Sequence, residues 1–145
     1  MNATIVVYGS STGTCEAIAE KIAQKLGCEV INVQDLTTDV VSNNKNLILG
    51  TSTWGAGELQ DDWYDGLKVL QDADLSDKTI ALFGCGDCES YSDTFVGGTV
   101  FLAQCQFHLG ITRITVWTVL YFLYNLTARQ FLGIHLSCCQ HTCSQ

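Results

Sequence analysis

A cluster of hydroxyl side chains near the N-terminus is the first part of the chain that could do chemistry. Four Ser or Thr residues occupy positions 10, 11, 12 and 14, between Gly9 and an apolar, helix-like pattern that starts near residue 14. The N-terminus of a helix presents unpaired backbone N–H groups and a partial positive charge, and hydroxyls add further hydrogen-bond donors. One Ser or Thr would suffice to cap the helix, so this density favours a site for an anion such as phosphate.

The same segment excludes two common kinds of nucleotide site. It contains no Lys, whereas the P-loop of nucleotide-binding proteins needs a G-K-[ST] sequence. It also lacks the G-x-G-x-x-G pattern of dinucleotide-binding folds. The sequence therefore predicts phosphate binding by backbone and hydroxyl groups, without a cationic side chain.

Two further loops each carry an aromatic residue that could cover a flat ligand. Trp54 lies among glycines in the loop of residues 51–60, and Tyr91 lies in the loop of residues 84–93. A Trp in such a loop is a poor core residue, because the core lies below the ends of the strands. Two aromatic side chains on neighbouring loops can enclose a planar ring, each stack contributing about 0.5–1.5 kcal/mol. With the hydroxyl cluster, they indicate a planar ring attached to a monophosphate.

The hydrophobic pattern predicts the strands and helices that position these loops. Short apolar strands that alternate with helices indicate a parallel sheet covered on both faces. Ligands bind such sheets beyond the carboxyl ends of the strands, which is where the three loops are expected. Strands are predicted at residues 4–8, 29–33, 46–50, 79–84 and 113–122, and helices at residues 14–26, 60–71 and 92–105.

Length and composition predict one globular domain, residues 1–145, that does not bind nucleic acid. Its 47% hydrophobic and 15% charged residues are typical of a chain with a core. The formal net charge of -8 argues against nucleic acid, whose phosphates need Lys and Arg, and fits docking onto basic protein surfaces.

The longest apolar run, residues 116–126, is shorter than the roughly 20 residues of a membrane span. With a strand starting directly after the first residues, we expect a cytoplasmic protein.

The cysteines are interpreted mainly as packing residues. Cys15, Cys28 and Cys85 lie within helix or strand patterns, which predicts small thiols that are buried or half-buried. Cys85 and Cys88 form a C-x-x-C sequence, but at a strand end rather than at a helix start, which disfavours a redox dithiol there.

The composition changes abruptly after residue 98. All 15 Asp and Glu residues precede this point, and all 3 His residues follow it. Four of the eight cysteines also follow it, but the Cys/His spacing matches no standard zinc site. Residues 99–145 are therefore interpreted as sequence not selected for this fold, such as a shifted reading frame. The alternative, a genuine divergent C-terminus, predicts a well-packed final helix with Leu126, Phe131 and Leu132 buried.

The sequence resembles the flavodoxins, and is nearer to their long-chain bacterial type. The resemblance rests on residues 7–13, 53–63 and 82–87, followed by Tyr91 and Phe95, and covers about residues 3–98. Three motifs in this order and at these separations are highly specific. The resemblance implies an α/β fold with three α/β/α layers and a five-stranded parallel sheet in the order 2-1-3-4-5.

The resemblance also implies a function. It implies a low-potential one-electron carrier with non-covalently bound FMN, which shuttles electrons between redox proteins with basic docking surfaces. Such a carrier is not an enzyme, binds neither nucleic acid nor membrane, and is expected to be a monomer. The low potential is expected because acids in or after the ring-binding loops oppose the negative charge of the fully reduced flavin. An FMN-dependent reductase of a quinone or other small molecule remains the alternative.

The residues expected to bind FMN follow from the same resemblance. The phosphate is assigned to the first loop, the two faces of the isoalloxazine ring to Trp54 and Tyr91, and its pyrimidine edge to Asp87 and its neighbours. The family pattern has Thr where this chain has Cys15, which keeps the backbone N–H but loses the hydroxyl. The complete expected set is Ser10, Ser11, Thr12, Gly13, Thr14, Cys15, Thr51, Ser52, Thr53, Trp54, Gly55, Ala56, Gly57, Cys85, Gly86, Asp87, Tyr91 and Phe95.

Overall fold

The computed structural model describes residues 3–86, 97–99, 102 and 114–118. Within these residues the chain forms six strands, three complete α-helices, one short 3-10 helix and part of a further helix at residues 97–99 and 102. The strands are β1 (Thr4–Gly9), β2 (Glu29–Asn32), β3 (Asn46–Trp54), β4 (Glu58–Leu59), β5 (Thr79–Cys85) and β6 (Ile114–Thr118). The α-helices are α1 (Thr14–Leu26), α2 (Thr38–Asn43) and α3 (Trp63–Asp72), and the 3-10 helix is Val33–Asp35.

The long strands form one parallel sheet in the order β2-β1-β3-β5-β6. The two-residue β4 pairs only with the end of β3, in antiparallel orientation. When β4 is set aside, the order of the parallel strands is 2-1-3-4-5, so the predicted sheet is confirmed. The predicted fifth strand is confirmed over Ile114–Thr118, where it pairs with β5.

Both faces of the sheet are covered, because alternate side chains of each strand point to opposite sides. On one face, β-strand residues such as Leu47 and Leu82 pack against Trp63 and Leu70 of α3. On the other face, α1 packs over a smaller apolar cluster that includes Phe83. This arrangement gives the expected helix, sheet and helix layers.

Helix α1 forms because a glycine flanks it at each end and its apolar residues lie on one face. Gly13 precedes it with a φ of 84° and Gly27 follows it with a φ of 64°, both in the left-handed region that glycine adopts at low cost. The Gly27 N–H donates to the Ala23 carbonyl and closes the last turn. Glu16 in the first turn and Lys25 in the last complement the helix dipole.

The structure differs from the sequence prediction in the short elements. Strand β3 continues to Trp54 rather than ending at residue 50, and α3 starts at Trp63 rather than at residue 60. The 3-10 helix, α2 and β4 were not predicted, since each is too short to show a hydrophobic period. Residues 97–99 and 102 are helical, as expected for the 92–105 helix, whose other residues lie outside the described part.

In the described part of the chain, no helix is both long enough and apolar enough to cross a bilayer.

Candidate functional site

The carboxyl ends of three central strands lie side by side at one edge of the sheet. Gly9 of β1 is paired in register with Thr51 of β3, and Thr51 is paired with Gly84 of β5. The chain leaves the sheet within a few residues of each of these positions. The three loops singled out in the sequence therefore start from one edge, where ligands bind in doubly wound sheets.

The first of these loops leads into a helix N-terminus that has no side-chain cap. Gly13 occupies the N-cap position, and no side chain there accepts a hydrogen bond from the first turn of α1. The loop is held instead by the Gly13 N–H, which donates to the Ser10 hydroxyl over 3.1 Å. Ser11 and Thr12 are exposed, and Thr14 is half-buried. The first-turn N–H groups and these hydroxyls together form a donor set for an anion.

The carboxylate of Glu16 lies beside this loop and accepts a hydrogen bond from a tyrosine. The Tyr8 hydroxyl donates to Glu16 Oε1 over 2.8 Å. The other carboxylate oxygen, Glu16 Oε2, is 4.0 Å from where a Cβ on Gly13 would stand. The hydrogen bond to Glu16 and partial burial raise the pKa of Tyr8. The sequence motifs do not indicate this pair, although an acidic residue in the first turn of α1 is visible in the sequence.

The second loop is the hairpin between β3 and β4. The Gly57 N–H donates to the Trp54 carbonyl over 3.1 Å and closes the turn. Gly55 and Gly57 have φ angles of 49° and 99°, which only glycine adopts readily. The Trp54 side chain is 43% exposed, and its Nε1 donates to the Ser52 hydroxyl over 3.1 Å. The hairpin thus presents an indole face at the edge of the sheet while its N–H is already satisfied.

Near this hairpin, the hydroxyl of Thr53 is a buried polar group. Among the described residues, no hydrogen bond reaches Thr53 Oγ1 or Thr99 Oγ1. Gly97 and Gly98 pack directly on the hairpin: a Cβ on Gly97 would stand 2.7 Å from Gly57 Cα, and one on Gly98 would stand 3.3 Å from Thr53 Oγ1. Thr53 Oγ1 therefore lies buried beneath Gly98, away from solvent.

Close packing behind the site depends on Trp63 and on a glycine that has no side chain. The Trp63 side chain is fully buried, and its Nε1 donates to the Gly50 carbonyl over 2.9 Å. A Cβ on Gly9 would stand 2.5 Å from both Gln60 Oε1 and Trp63 Cδ1. Glycine therefore lets α3 approach the end of β1 closely enough to support the first two loops.

Several residues expected at the site have side chains that turn inward. Cys15 is 0% exposed and Cys85 is 5% exposed, as predicted for buried thiols, and both belong to the apolar cluster between α1 and the sheet. The neighbouring Cys85 thiol and burial raise the pKa of Cys15. Thr51 is also 0% exposed, and its hydroxyl donates to the Ser52 carbonyl over 2.9 Å.

The expected residues thus fall into three groups. The structure brings the first loop and the β3–β4 hairpin to the same edge of the sheet, with Gly86 half-buried at the end of β5. At four positions the side chain points into the protein, so only the backbone can serve an external ligand: Cys15, Thr51, Ser52 and Cys85. The expected residues Asp87, Tyr91 and Phe95 lie outside the described residues.

The fold is that of a doubly wound α/β protein, a class in which ligands bind at the carboxyl ends of the strands. An uncapped helix N-terminus and an exposed indole on the neighbouring hairpin lie at this edge of the sheet. The chain belongs to the flavodoxin family, whose family model matches residues 6–134. This match extends past residue 98 into the C-terminal part of the chain.

Individual relatives agree with the family. The chain is 43% identical over 98 residues to flavodoxin 1 of Azotobacter vinelandii, covering 63% of this chain and 56% of that protein. It is 42% identical over 94 residues to the flavodoxin of Helicobacter pylori, covering 64% and 57% respectively. The chain therefore spans little more than half the length of these relatives.

Solved structures show the same fold. The crystal structure of Fusobacterium nucleatum flavodoxin bound to flavin mononucleotide matches with a TM-score of 0.70 and 27% sequence identity. The match covers 79% of this chain and 70% of that one. Oxidised flavodoxin 1 from Bacillus cereus matches with a TM-score of 0.70 at 23% identity, which supports the fold.

Proposed function

We propose that this protein is an electron carrier that binds one FMN non-covalently at the carboxyl edge of its sheet. The observation that carries the proposal is the juxtaposition of the uncapped N-terminus of α1 with the exposed indole of Trp54. A helix N-terminus suits a phosphate, and an indole face suits a flat ring. FMN joins these two groups in one molecule, and the Fusobacterium relative is described as bound to it. When bound, FMN supplies reversible transfer of single electrons.

The first loop is proposed to hold the phosphate. Its ligands are the hydroxyls of residues 10, 11, 12 and 14 and the backbone N–H groups of the first turn, including that of Cys15. These groups can donate several hydrogen bonds to a charged acceptor, each contributing about 1.5–3 kcal/mol. Glu16 lies beside them, and the hydrogen bond from Tyr8 constrains its carboxylate.

The hairpin and the third loop are proposed to hold the ring. Trp54 covers one face of the isoalloxazine and Tyr91 the other, with Phe95 nearby, while Gly86 and Asp87 contact the pyrimidine edge. An aromatic residue on each face would leave no space for a small substrate beside the ring, which favours a carrier over a reductase.

A low potential for the second electron and an acidic docking face are proposed from the charge distribution. Glu58 and Asp61 are exposed on and just after the hairpin, and Asp65 is exposed in the first turn of α3. Each opposes the negative charge that full reduction places on the cofactor. The same carboxylates attract basic surfaces of redox proteins and accelerate their encounter with the carrier.

The test is a titration of the purified full-length chain with FMN, followed by anaerobic reduction with dithionite. The proposal expects one FMN per chain, two well-separated one-electron steps, and no oxidation of NADH or NADPH by the loaded protein alone. Steady oxidation of either nicotinamide with a quinone as acceptor would instead establish the reductase. Failure to bind FMN would reject both.

A further inference from the structure

An acidic side chain of α1 stands where it could occupy the proposed phosphate site itself. Glu16 is the third residue of α1, and Gly13 is the N-cap. A Glu at this position commonly reaches back to the N-cap N–H in a capping box, and the helix dipole attracts its negative charge. Glu16 Oε2 is 4.0 Å from where a Cβ on Gly13 would stand, so the carboxylate lies within reach of the N-terminus.

Glu16 is nevertheless held in another arrangement. The Gly13 N–H, the usual partner of such a Glu, donates to the Ser10 hydroxyl over 3.1 Å. Glu16 Oε1 accepts a hydrogen bond from the Tyr8 hydroxyl over 2.8 Å. The acid that would ordinarily cap α1 is therefore bound to a residue of the sheet.

This arrangement leaves the first turn of α1 to an external anion. The first backbone hydrogen bond of the helix joins the Ala17 N–H to the Gly13 carbonyl. The N–H groups of residues 14–16 consequently have no partner within the helix. A carboxylate and a phosphate would use these same donors, so the position of the Glu16 carboxylate decides whether a phosphate can reach them.

Tyr8 is a fixed hydrogen-bond donor. It lies in β1, paired in register with Asn32 of β2, and it packs against the apolar cluster between α1 and the sheet. The hydrogen bond to Glu16, and then burial, raise the pKa of Tyr8, so its hydroxyl keeps its proton at neutral pH. A donor anchored in the sheet thus fixes a carboxylate that belongs to the helix.

We propose that Tyr8 is a positioning residue of the phosphate loop, whose hydroxyl keeps the Glu16 carboxylate from occupying the first-turn N–H groups of α1. The inference rests on the proposed function, in which those N–H groups bind the phosphate of FMN. Without the hydroxyl, carboxylate and phosphate compete for one set of donors. The affinity for the phosphate then falls with the fraction of molecules in which the donors are unoccupied.

The first experiment compares FMN with riboflavin in Tyr8→Phe, which keeps the ring and removes only the hydroxyl. We expect the FMN affinity to fall about 3- to 10-fold, the range for one hydrogen bond. The affinity for riboflavin, which has no phosphate, should change little. Isothermal titration of the full-length chain measures both. An unchanged FMN affinity would overturn the proposal, and so would an equal loss for both ligands, because a general disturbance of the fold does not single out the phosphate.

The second experiment identifies the competitor. Adding Glu16→Gln to Tyr8→Phe removes the negative charge and should restore at least the wild-type preference for FMN over riboflavin. Glu20→Gln is the matched control, because Glu20 is an exposed acid one turn further along α1, away from the N-terminus. It should restore none of the preference. Equal restoration by the two substitutions, or restoration by neither, would overturn the role given to Glu16.

The third experiment needs no flavin. In FMN-free protein, the backbone amide signals of residues 13–15 in NMR spectra should shift in Tyr8→Phe and return towards their wild-type positions when Glu16→Gln is added. Signals that do not move in Tyr8→Phe would overturn the proposal, because the carboxylate would then not have changed place. A wild-type chain that binds FMN no more tightly than riboflavin would instead overturn the proposed phosphate site, while the amide signals still decide whether Tyr8 holds Glu16.

Discussion

The indole Nε1 of Trp54 donates a hydrogen bond to the Ser52 hydroxyl, with 3.1 Å between the two atoms. Ser52 is only 8% exposed and is paired in register with Cys85 of the neighbouring strand. The exposed aromatic residue of the β3–β4 hairpin is thereby tied to a rigid position in the sheet. Its ring is oriented before any ligand arrives, which reduces the entropy lost on binding.

Ser52→Ala should weaken FMN binding by about 3- to 10-fold. The variant removes the hydrogen bond that orients Trp54, and such a bond contributes about 0.5–1.5 kcal/mol. Quenching of tryptophan fluorescence during an FMN titration measures the change. Ser42→Ala is the matched control, because it also removes one serine hydrogen bond, from the Ser42 hydroxyl to the Thr38 carbonyl, but on α2. Equal effects of the two variants would show that the bond to Trp54 has no special role.

Trp63→Phe should lower the free energy of unfolding by about 2 kcal/mol or more. The ring stays apolar, but the buried Gly50 carbonyl loses the Nε1 donor that lies 2.9 Å away. Urea unfolding measures the loss. Tyr64→Phe, at the next position of α3, changes a side chain that is 50% exposed and should cost less than about 0.5 kcal/mol. A stability for Trp63→Phe close to that of Tyr64→Phe would contradict the anchoring role given to Trp63.

The sequence could predict the sheet because its long strands are apolar throughout, and both faces are covered. It could also predict the position of the first loop, because a dense group of hydroxyls between a strand and a helix has few structural explanations. The short α2 and β4 could not be predicted, since they depend on local contacts such as the Thr37 hydroxyl that accepts the Val40 N–H. Hydrophobic periodicity carries no information about such contacts.

The orientation of individual side chains was harder to predict than their proximity. Position 15 was assigned to the site through its backbone, but the sequence did not indicate that its thiol shares an apolar cluster with Cys85. That arrangement joins residues distant in sequence and depends on how α1 packs over β5. The hydrogen bond between Tyr8 and Glu16 was missed for the same reason. These pairings follow from tertiary packing, whereas the motifs record only local sequence.

Asp62→Asn should reduce the loss of stability that the protein suffers in acid. Hydrogen bonds from the side chains of Gln60, over 2.7 Å, and of Gln34 lower the pKa of Asp62 in the folded protein. A lowered folded pKa means that the stabilisation is complete above the unfolded pKa of about 3.9 and is lost as pH falls through the folded value. Urea unfolding at a series of pH values from about 6 to 2.5 measures it. If the wild type and the variant lose stability equally, the hydrogen bonds do not favour the charged form.

Glu58→Gln combined with Asp61→Asn should make the second reduction potential of the FMN-loaded protein less negative. A charge about 10 Å away at an effective dielectric near 20 changes the energy by roughly 1.7 kcal/mol, or roughly 70 mV for one electron, before screening by salt. Potentiometric titration at low ionic strength measures the shift. Asp39→Asn, an exposed acid on α2, is the control and should leave the potential nearly unchanged. Identical potentials in all three proteins would remove the electrostatic argument.

The central claim, that the N-terminus of α1 binds the phosphate of FMN without a cationic side chain, is tested most directly by comparing FMN with riboflavin. The two ligands share the ring and differ only in the phosphate. Isothermal titration of the purified full-length chain should give an FMN affinity at least about 100-fold higher, or about 2.7 kcal/mol, because the phosphate accepts several hydrogen bonds from the first loop. Equal affinities for the two ligands would contradict the assignment of this loop.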